Sequence, residues 1–252
     1  MASRKGYKSG GFNTTSPLVT NRVFEPEYAK DVEVGAKYRL NTDFVRGRLE
    51  AALYRTRFTN VQVSNTVFDP GINRSFTVVR NAAAATIKGV ELEAALNFGG
   101  RFELNGFYAH TNAHYTRYPV PTLTGVIDLS SAPFRMTPKD KYGITGAYNF
   151  DLGELGKLRT AATWTWQSRM LFSSPSRAVP YNVGYQGAYG VTDLRADLTN
   201  IAGRNVDLGV FVSNLTNKTY YTSVSDTLDS IGIAFATYGE PRMYGAELKV
   251  RF

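Results

Sequence analysis

The chain has 252 residues and no cysteine, which excludes disulfide staples, thiolate metal sites and thiol catalysis. Sixteen Tyr and 15 Phe stand against 2 Trp, and 23 Gly accompany 10 Pro, a composition suited to strands and tight turns. The net charge of +8 is spread as single Lys and Arg through alternating segments, not gathered in a basic run, and this argues against a nucleic-acid partner.

No apolar run approaches the roughly 18 residues of a membrane helix, and the mean hydropathy is −0.25. A transmembrane β-barrel also reads this way, because half of each of its strands is polar. The first residues, M-A-S-R-K-G-Y-K-S-G-G, lack the apolar stretch of a signal peptide. The expectation is therefore a chain that begins partway through a longer one.

In chain order, residues 3–8 form a short strand that opens into the loop S-G-G-F-N-T-T-S-P. Val32, Val34, Ala36, Tyr38 and Leu40 then alternate with charged residues and Gly35. Period two places successive side chains on opposite faces of a strand. After Asn41-Thr42-Asp43 a long strand carries Leu49, Ala51 and Leu53, and a loop is expected around Asp69-Pro70-Gly71. The return strand is expected over 76–98, with Val90, Leu92, Ala94, Leu96 and Phe98 on one face. Gly99-Gly100 is a hairpin turn, followed by Phe102, Leu104, Gly106 and Tyr108. Residues 112–139 show no clear period. Tyr142 to Phe150, Leu158 to Trp166, Leu194 to Leu198, Val206 to Val212 and Tyr244 to Phe252 complete about ten strands.

The connections carry the most information. Short ones fall near 41–43, 99–100, 151–157 and 201–205, and long ones near 9–27, 66–75, 112–139, 168–188 and 216–239. Strict alternation of short and long puts every long loop at one end, the pattern of an outer-membrane barrel with short periplasmic turns. The expected fold is all-β, an antiparallel up-and-down transmembrane β-barrel of about ten strands. Leu40, Leu53, Leu92, Leu104, Ile144, Ala162, Leu198, Leu208 and Leu248 are expected to face lipid. Gly35, Gly89 and Gly245, with Glu91, Glu93, Glu247, Lys249 and Arg251, are expected to face the lumen, the glycines relieving curvature in the wall.

Five local patterns resemble the TonB-dependent outer-membrane receptors. They are R-K-G-Y-K-S-G-G-F-N (4–13), F-E-P-E-Y-A-K-D-V-E-V-G-A-K (24–37), R-N-A-A-A-A-T-I-K-G-V-E-L-E (80–93), F-V-S-N-L-T-N-K-T-Y-Y (211–221) and G-E-P-R-M-Y-G-A-E-L-K-V-R-F (239–252). Asp31-Val32 and Asn217 depart from the commoner Tyr and Asp. The order of the patterns resembles the C-terminal part of the receptor barrel. The resemblance implies a bacterial outer-membrane location and energised uptake of a scarce ligand, most often a ferric siderophore. It also implies that residues 1–252 are an open part of a barrel of about 22 strands, with the plug domain and N-terminal strands lying elsewhere. Contact with the TonB complex would run only through that plug, and this chain alone would not transport. A complete ten-stranded barrel, acting as a passive porin or adhesin, is the alternative. It would pair residues 2–8 with 243–252.

No enzyme, cofactor or metal site is expected. His110 and His114, in H-T-N-A-H, have a zinc-like spacing only on a helix, and they read as histidines at a loop tip. The long loops hold Arg74, Arg117, Tyr118, Arg169, Arg177, Tyr181, Tyr185 and Tyr189. Arginine and aromatic rings near an extracellular mouth suit an anionic, catecholate- or carboxylate-rich ferric chelate, and equally the phosphates of lipopolysaccharide among outer-membrane lipids.

Overall fold

A computed structural model describes residues 1–14, 22–69, 73–122, 125–172, 184–227 and 232–251. In chain order the strands are β1 (Ala2–Lys8), β2 (Gly11–Phe12), β3 (Val23–Phe24), β4 (Glu27–Asn41), β5 (Val45–Asp69), β6 (Arg74–Phe98), β7 (Phe102–Arg117), β8 (Pro119–Thr122) and β9 (Gly125–Asp128). They continue with β10 (Asp140–Asp151), β11 (Lys157–Gln167), β12 (Met170–Leu171), β13 (Tyr185–Gln186), β14 (Tyr189–Thr199), β15 (Val206–Ser213), β16 (Tyr221–Thr227), β17 (Ile233–Tyr238) and β18 (Met243–Val250). Ten of them form one sheet in the order β1-β4-β5-β6-β7-β10-β11-β14-β15-β18. This is chain order, the up-and-down meander expected from the alternating connections. The other eight strands pair locally as β2/β3, β8/β9, β12/β13 and β16/β17.

These local pairs correct the loop assignments. The connection expected at 66–75 is narrowed from both sides, because β5 continues to Asp69 and β6 begins at Arg74, each running 25 residues. The aperiodic stretch from 112 holds the end of β7 and the β8/β9 hairpin, and 216–239 holds β16 and β17. Arg74 and Arg117 therefore stand on strand ends, not in loops. His110 and His114 likewise lie inside β7. The short turns are as expected. Gly99 and Gly100 sit at φ +56° and +71°, the mirror-image hairpin geometry that glycine adopts without steric cost.

The chain divides into two compact units. The first comprises Met1–Val34, Leu53–Gly89 and Asn112–Phe134, and the second Gly35–Ala52, Val90–Thr111 and Arg135–Phe252.

In the first unit β1 pairs with β4 from Ala2↔Glu33 to Lys8↔Glu27, and Arg4 forms ion pairs with Asp31 and Glu33. Two asparagines of the receptor-like patterns act as side-chain rungs where the regular ladder ends. The Asn13 amide donates to the Val79 carbonyl and accepts from the Val79 N–H, both at 2.8 Å. Asn81 accepts from the Glu25 N–H and donates to the Glu25 and Asn60 carbonyls. An amide side chain carries one acceptor and two donors, so it can replace a missing backbone partner. Val78, Ala83, Ala85 and Tyr118 are buried here.

In the second unit the register sorts the sheet into two faces. Directly opposed residues share a face, and Gly146↔Leu104, Gly146↔Ala162, Ala162↔Leu194, Leu194↔Val212 and Val212↔Tyr244 make one continuous apolar row. A parallel row runs Phe150↔Leu158, Leu158↔Leu198, Leu198↔Leu208 and Leu208↔Leu248. The apolar residues anticipated by alternation thus meet on one surface. Of those expected to face lipid in this unit, Leu92, Ile144, Ala162, Leu208 and Leu248 are exposed and Leu40, Leu104 and Leu198 are half-buried, while Leu53, in the first unit, is exposed. None is packed into a closed interior.

Aromatic rings close this face at both ends. Tyr142 stacks on Trp166 at 5.1 Å and meets Trp164 edge-on at 5.2 Å. Near the short turns, Phe98 lies 5.7 Å from Phe102 and Tyr148 lies 4.5 Å from Phe150. Tyr142 and Phe150 are eight positions apart, about 27 Å along a strand at about 3.4 Å per residue. At a tilt of about 40° the height is roughly 20 Å, close to the roughly 25 Å apolar band of an outer-membrane barrel.

Candidate functional site

The opposite, polar face of the second unit is held by ion pairs between strands. Arg159 meets Glu103 at 2.8 Å, Lys37 meets Glu50 at 2.6 Å, and Arg251 meets Asp207 at 2.9 Å. Arg195 binds Asp197 beside it and reaches Glu247 at 2.7 Å, two strands away. The strand crossed is β15, which places Gly209 there. A Cβ at Gly209 would come within 2.9 Å of the Asp197 carboxylate and 3.0 Å of Arg195. Glu247 and Arg251, expected on this face, are thus mutually compensated by other wall charges.

Glycine serves a second purpose on this face. Phe211 opposes Gly245, and Phe107 opposes Gly143. Each ring lies across its glycine so closely that an added Cβ would fall 2.7 Å and 2.6 Å from ring carbons. At Gly245, where curvature relief was expected, the structure shows reception of an aromatic ring.

Beside Phe107 the polar face holds an open depression of about 340 Å³. Arg48, Glu93, Asn105, Thr145 and Thr165 line it, and the Thr145 hydroxyl is 2.9 Å from that of Thr163.

At the end of the second unit with the long connections, two of the expected ligand residues come together. Leu171 pairs with Tyr185 across β12 and β13, and the Arg169 guanidinium carbon sits 3.7 Å above the centre of the Tyr185 ring. Tyr189 stacks on Tyr220 at 4.5 Å and 13°, and Tyr221 meets Tyr238 at 5.0 Å. Gln186, buried beside Tyr185, accepts the Tyr221 N–H at 2.6 Å and so ties β13 to β16. Composition alone did not single out Gln186, Tyr220, Tyr221 or Tyr238. Only the β16/β17 pairing brings the last two together.

The pattern around 211–221 supplies the base of this surface. Asn214 is 2 % exposed, donates to the Lys218 and Glu240 carbonyls, and accepts the Lys218 N–H. Asn217 accepts the Arg242 N–H, so this pattern and the one at 239–252 lock together. Asn214 and Asn217 both hold φ near +50°, a conformation asparagine tolerates better than most residues.

Three other candidates fall in the first unit. Arg74 and Arg117 are exposed at strand ends. Tyr118 is 4 % exposed, and its ring packs 4.7 Å from that of Tyr115, which stacks on Phe134. That burial leaves Tyr118 as a packing residue, without a free ring face for a ligand. The adjacent hairpin is latched by Asp128, which accepts from the Ser130 N–H and hydroxyl, and these bonds hold its carboxyl below the ordinary aspartate range. Arg177 and Tyr181 lie outside the described residues.

His110 is no loop-tip residue. Its Nδ1 lies 2.7 Å from Asp140, which also accepts the Tyr108 hydroxyl at 2.9 Å. Among the described residues no three His, Asp or Glu side chains gather around a common metal position.

Comparison with known proteins gives a consistent result. The family model described as "TonB dependent receptor-like, beta-barrel" matches residues 3–215. The ferrichrome outer membrane transporter/phage receptor of Escherichia coli K12 is 27% identical over 230 residues, covering 90% of this chain and 26% of that protein. The ferric yersiniabactin uptake receptor FyuA of Yersinia pestis superposes with a TM-score of 0.73 at 21% identity, over 99% of this chain and 34% of that one. The siderophore receptor PiuA of Acinetobacter baumannii gives 0.68 at 18% identity, over 98% and 32%. The chain thus spans about a quarter of the curated relative and about a third of these solved structures.

Proposed function

The chain belongs to the TonB-dependent receptor β-barrel family of the bacterial outer membrane, and from that premise we propose that it forms the C-terminal part of the barrel wall of a ferric-siderophore receptor. It acts as a receptor and transporter component, not an enzyme. The apolar face of the second unit lies against lipid. The polar face looks into the lumen, where a plug carried by the longer protein would sit and through which the TonB complex would act.

The observation that carries the ligand reading is Arg169 stacked over Tyr185, beside the Tyr189/Tyr220 and Tyr221/Tyr238 pairs. A guanidinium held over a ring still has N–H groups to offer carboxylate or catecholate oxygens. The neighbouring rings offer flat apolar surface to the organic part of a chelate. The ferrichrome transporter and the yersiniabactin receptor, by their names, support a chelate ligand for this chain too.

The test is uptake of radiolabelled ferric siderophores by cells that rely on this receptor. Arg169→Ala combined with Tyr185→Ala is expected to cut uptake about tenfold or more, and collapsing the proton gradient to abolish it. Uptake that ignores both changes would contradict the reading.

A further inference from the structure

Alternation sorts the charges of the first unit as sharply as its apolar residues. On one face of β1 and β4 stand Arg4, Asp31 and Glu33, and the arginine pairs with both carboxylates. Asp31 also accepts the Thr56 hydroxyl at 2.9 Å, which sets Thr56 of β5 on that same face. The intervening residues share the other face, where Val32, Val34 and Leu53 are exposed. Lys5 and Lys30 are directly opposed there, with Tyr7 opposite Tyr28 one pair further along. Arg55 and Arg57 follow Leu53 on β5, and Lys88 precedes Val90 and Leu92 at the same alternation on β6. All five cations are exposed, and among the described residues none of them has an ion-pair partner. No Asp or Glu occupies this face within 3–7, 28–34 or 53–57. Like charges set directly opposite one another weaken a sheet. Lys5 against Lys30, with Arg57 on the next strand, therefore gains from an anion brought from outside the chain.

The height of the band identifies the anion. Arg55 and Arg57 lie two and four residues beyond Leu53, about 7 and 14 Å along a strand at about 3.4 Å per residue. At a tilt of about 40° that is roughly 5 and 10 Å of height. The interfacial layer on each side of the hydrocarbon is roughly 5–8 Å deep, and long Lys and Arg side chains extend to reach it. We propose that Lys5, Lys30, Arg55, Arg57 and Lys88 form a site for the phosphates of lipopolysaccharide on the outward side of the barrel wall. The two guanidinium groups suit bidentate contact with phosphate oxygens, and the Lys5 and Lys30 ammonium groups close on the same anion from the neighbouring strands. Tyr7 and Tyr28 stand beside them as interfacial rings, and the acyl chains lie along Val34 and Leu53. The site rests on the reading that this face of the strands is turned to lipid, with the long connections outside the cell.

The test uses the full-length receptor, purified in a nonionic detergent and freed of bound lipid. It is titrated with lipopolysaccharide and with the same lipopolysaccharide stripped of its phosphates, and the rise in the unfolding midpoint is read. The phosphorylated form should bind at least about tenfold more tightly, on the scale of a few cations near an anionic lipid surface. Lys5→Gln, Lys30→Gln and Arg57→Gln combined should erase that preference, whereas Lys8→Gln, on the opposite face of β1, should keep it. Lys5→Glu separates the site from mere folding. A carboxylate opposite Lys30 should raise the midpoint in detergent alone, yet weaken binding of lipopolysaccharide about fivefold or more. Equal binding of the two lipids, or a preference that survives the triple change, overturns the proposal. So does inorganic phosphate that gives the same rise at equal concentration, which would assign the band to a free anion. A spin label at Val34 in the membrane tests the underlying reading separately. A label in hydrocarbon with no phosphate preference removes the site alone, and a label open to water removes the lipid-facing reading and the site with it.

Discussion

The two faces of the second unit are built from the same strands, yet they obey different rules. The apolar face is a set of uninterrupted rows, such as Leu158, Leu198, Leu208 and Leu248, bounded by aromatic rings at each end. Leu208 and Leu248 stand exposed along it and Leu158 and Leu198 half-buried, which suits a surface set against hydrocarbon. The polar face is irregular and self-contained. Charges on it reach across one or two strands, and glycines at 143, 209 and 245 make room for a ring or an ion pair. The lesson is that solvent, more than secondary structure, sets what each side of a strand must do.

A charge on the apolar side should give the largest effect. Leu208→Arg is expected to cost about 2–4 kcal/mol when folding is measured in a bilayer. The change Lys249→Leu on the polar face should cost far less in the same titration. Equal costs on both sides would erase the distinction.

Filling the glycine seats should come next. Gly143→Ala and Gly245→Ala each place a methyl under 3 Å from a phenyl ring, an overpacking of about 1–3 kcal/mol. The lower end is expected, because each ring is the free end of a side chain and can swing away. Shortening the ring should relieve the strain, so Gly245→Ala with Phe211→Ala is expected to cost less than the sum of the single changes. Simple additivity in that double-mutant cycle would show that ring and glycine do not interact.

The smallest effect is expected at Gly209→Ala. The added methyl meets the tips of Asp197 and Arg195, which can move. Stability should barely change, but the reach from Arg195 to Glu247 should be lost. The readout is the salt dependence of unfolding, which should match that of Glu247→Gln.

Alternation made the faces legible in sequence, because Tyr142 to Phe150 or Tyr244 to Val250 can satisfy period two in only one way. Register was not legible, since a slip of two residues preserves the pattern and only the paired backbone fixes that Arg159 finds Glu103. The full length of β5 and β6 was hidden because a turn signal such as Asp69-Pro70-Gly71 says nothing of how far the flanking strands extend. β16 is rich in Ser and Thr and β17 is apolar but for one Thr, so neither shows the alternation that marks a strand. At the candidate site, Arg169 and Tyr185 were visible as residue types. Their contact depends on the two-residue pairing of β12 with β13, too short to carry a sequence signal. The burial of Tyr118 was not legible either: an aromatic in a polar stretch can be exposed or buried, and Tyr115 and Phe134 decide it.

The central claim is that one face of these strands meets lipid and the other water. The absence of cysteine allows a single spin label at successive positions of β15, from Val206 to Ser213, in membrane-embedded protein. Collision with oxygen, which concentrates in hydrocarbon, should peak at Val206, Leu208, Val210 and Val212. Collision with a water-soluble nickel complex should peak at Asp207, Gly209 and Phe211. Accessibility that alternates in this phase is the predicted result, and a flat or inverted profile would contradict it.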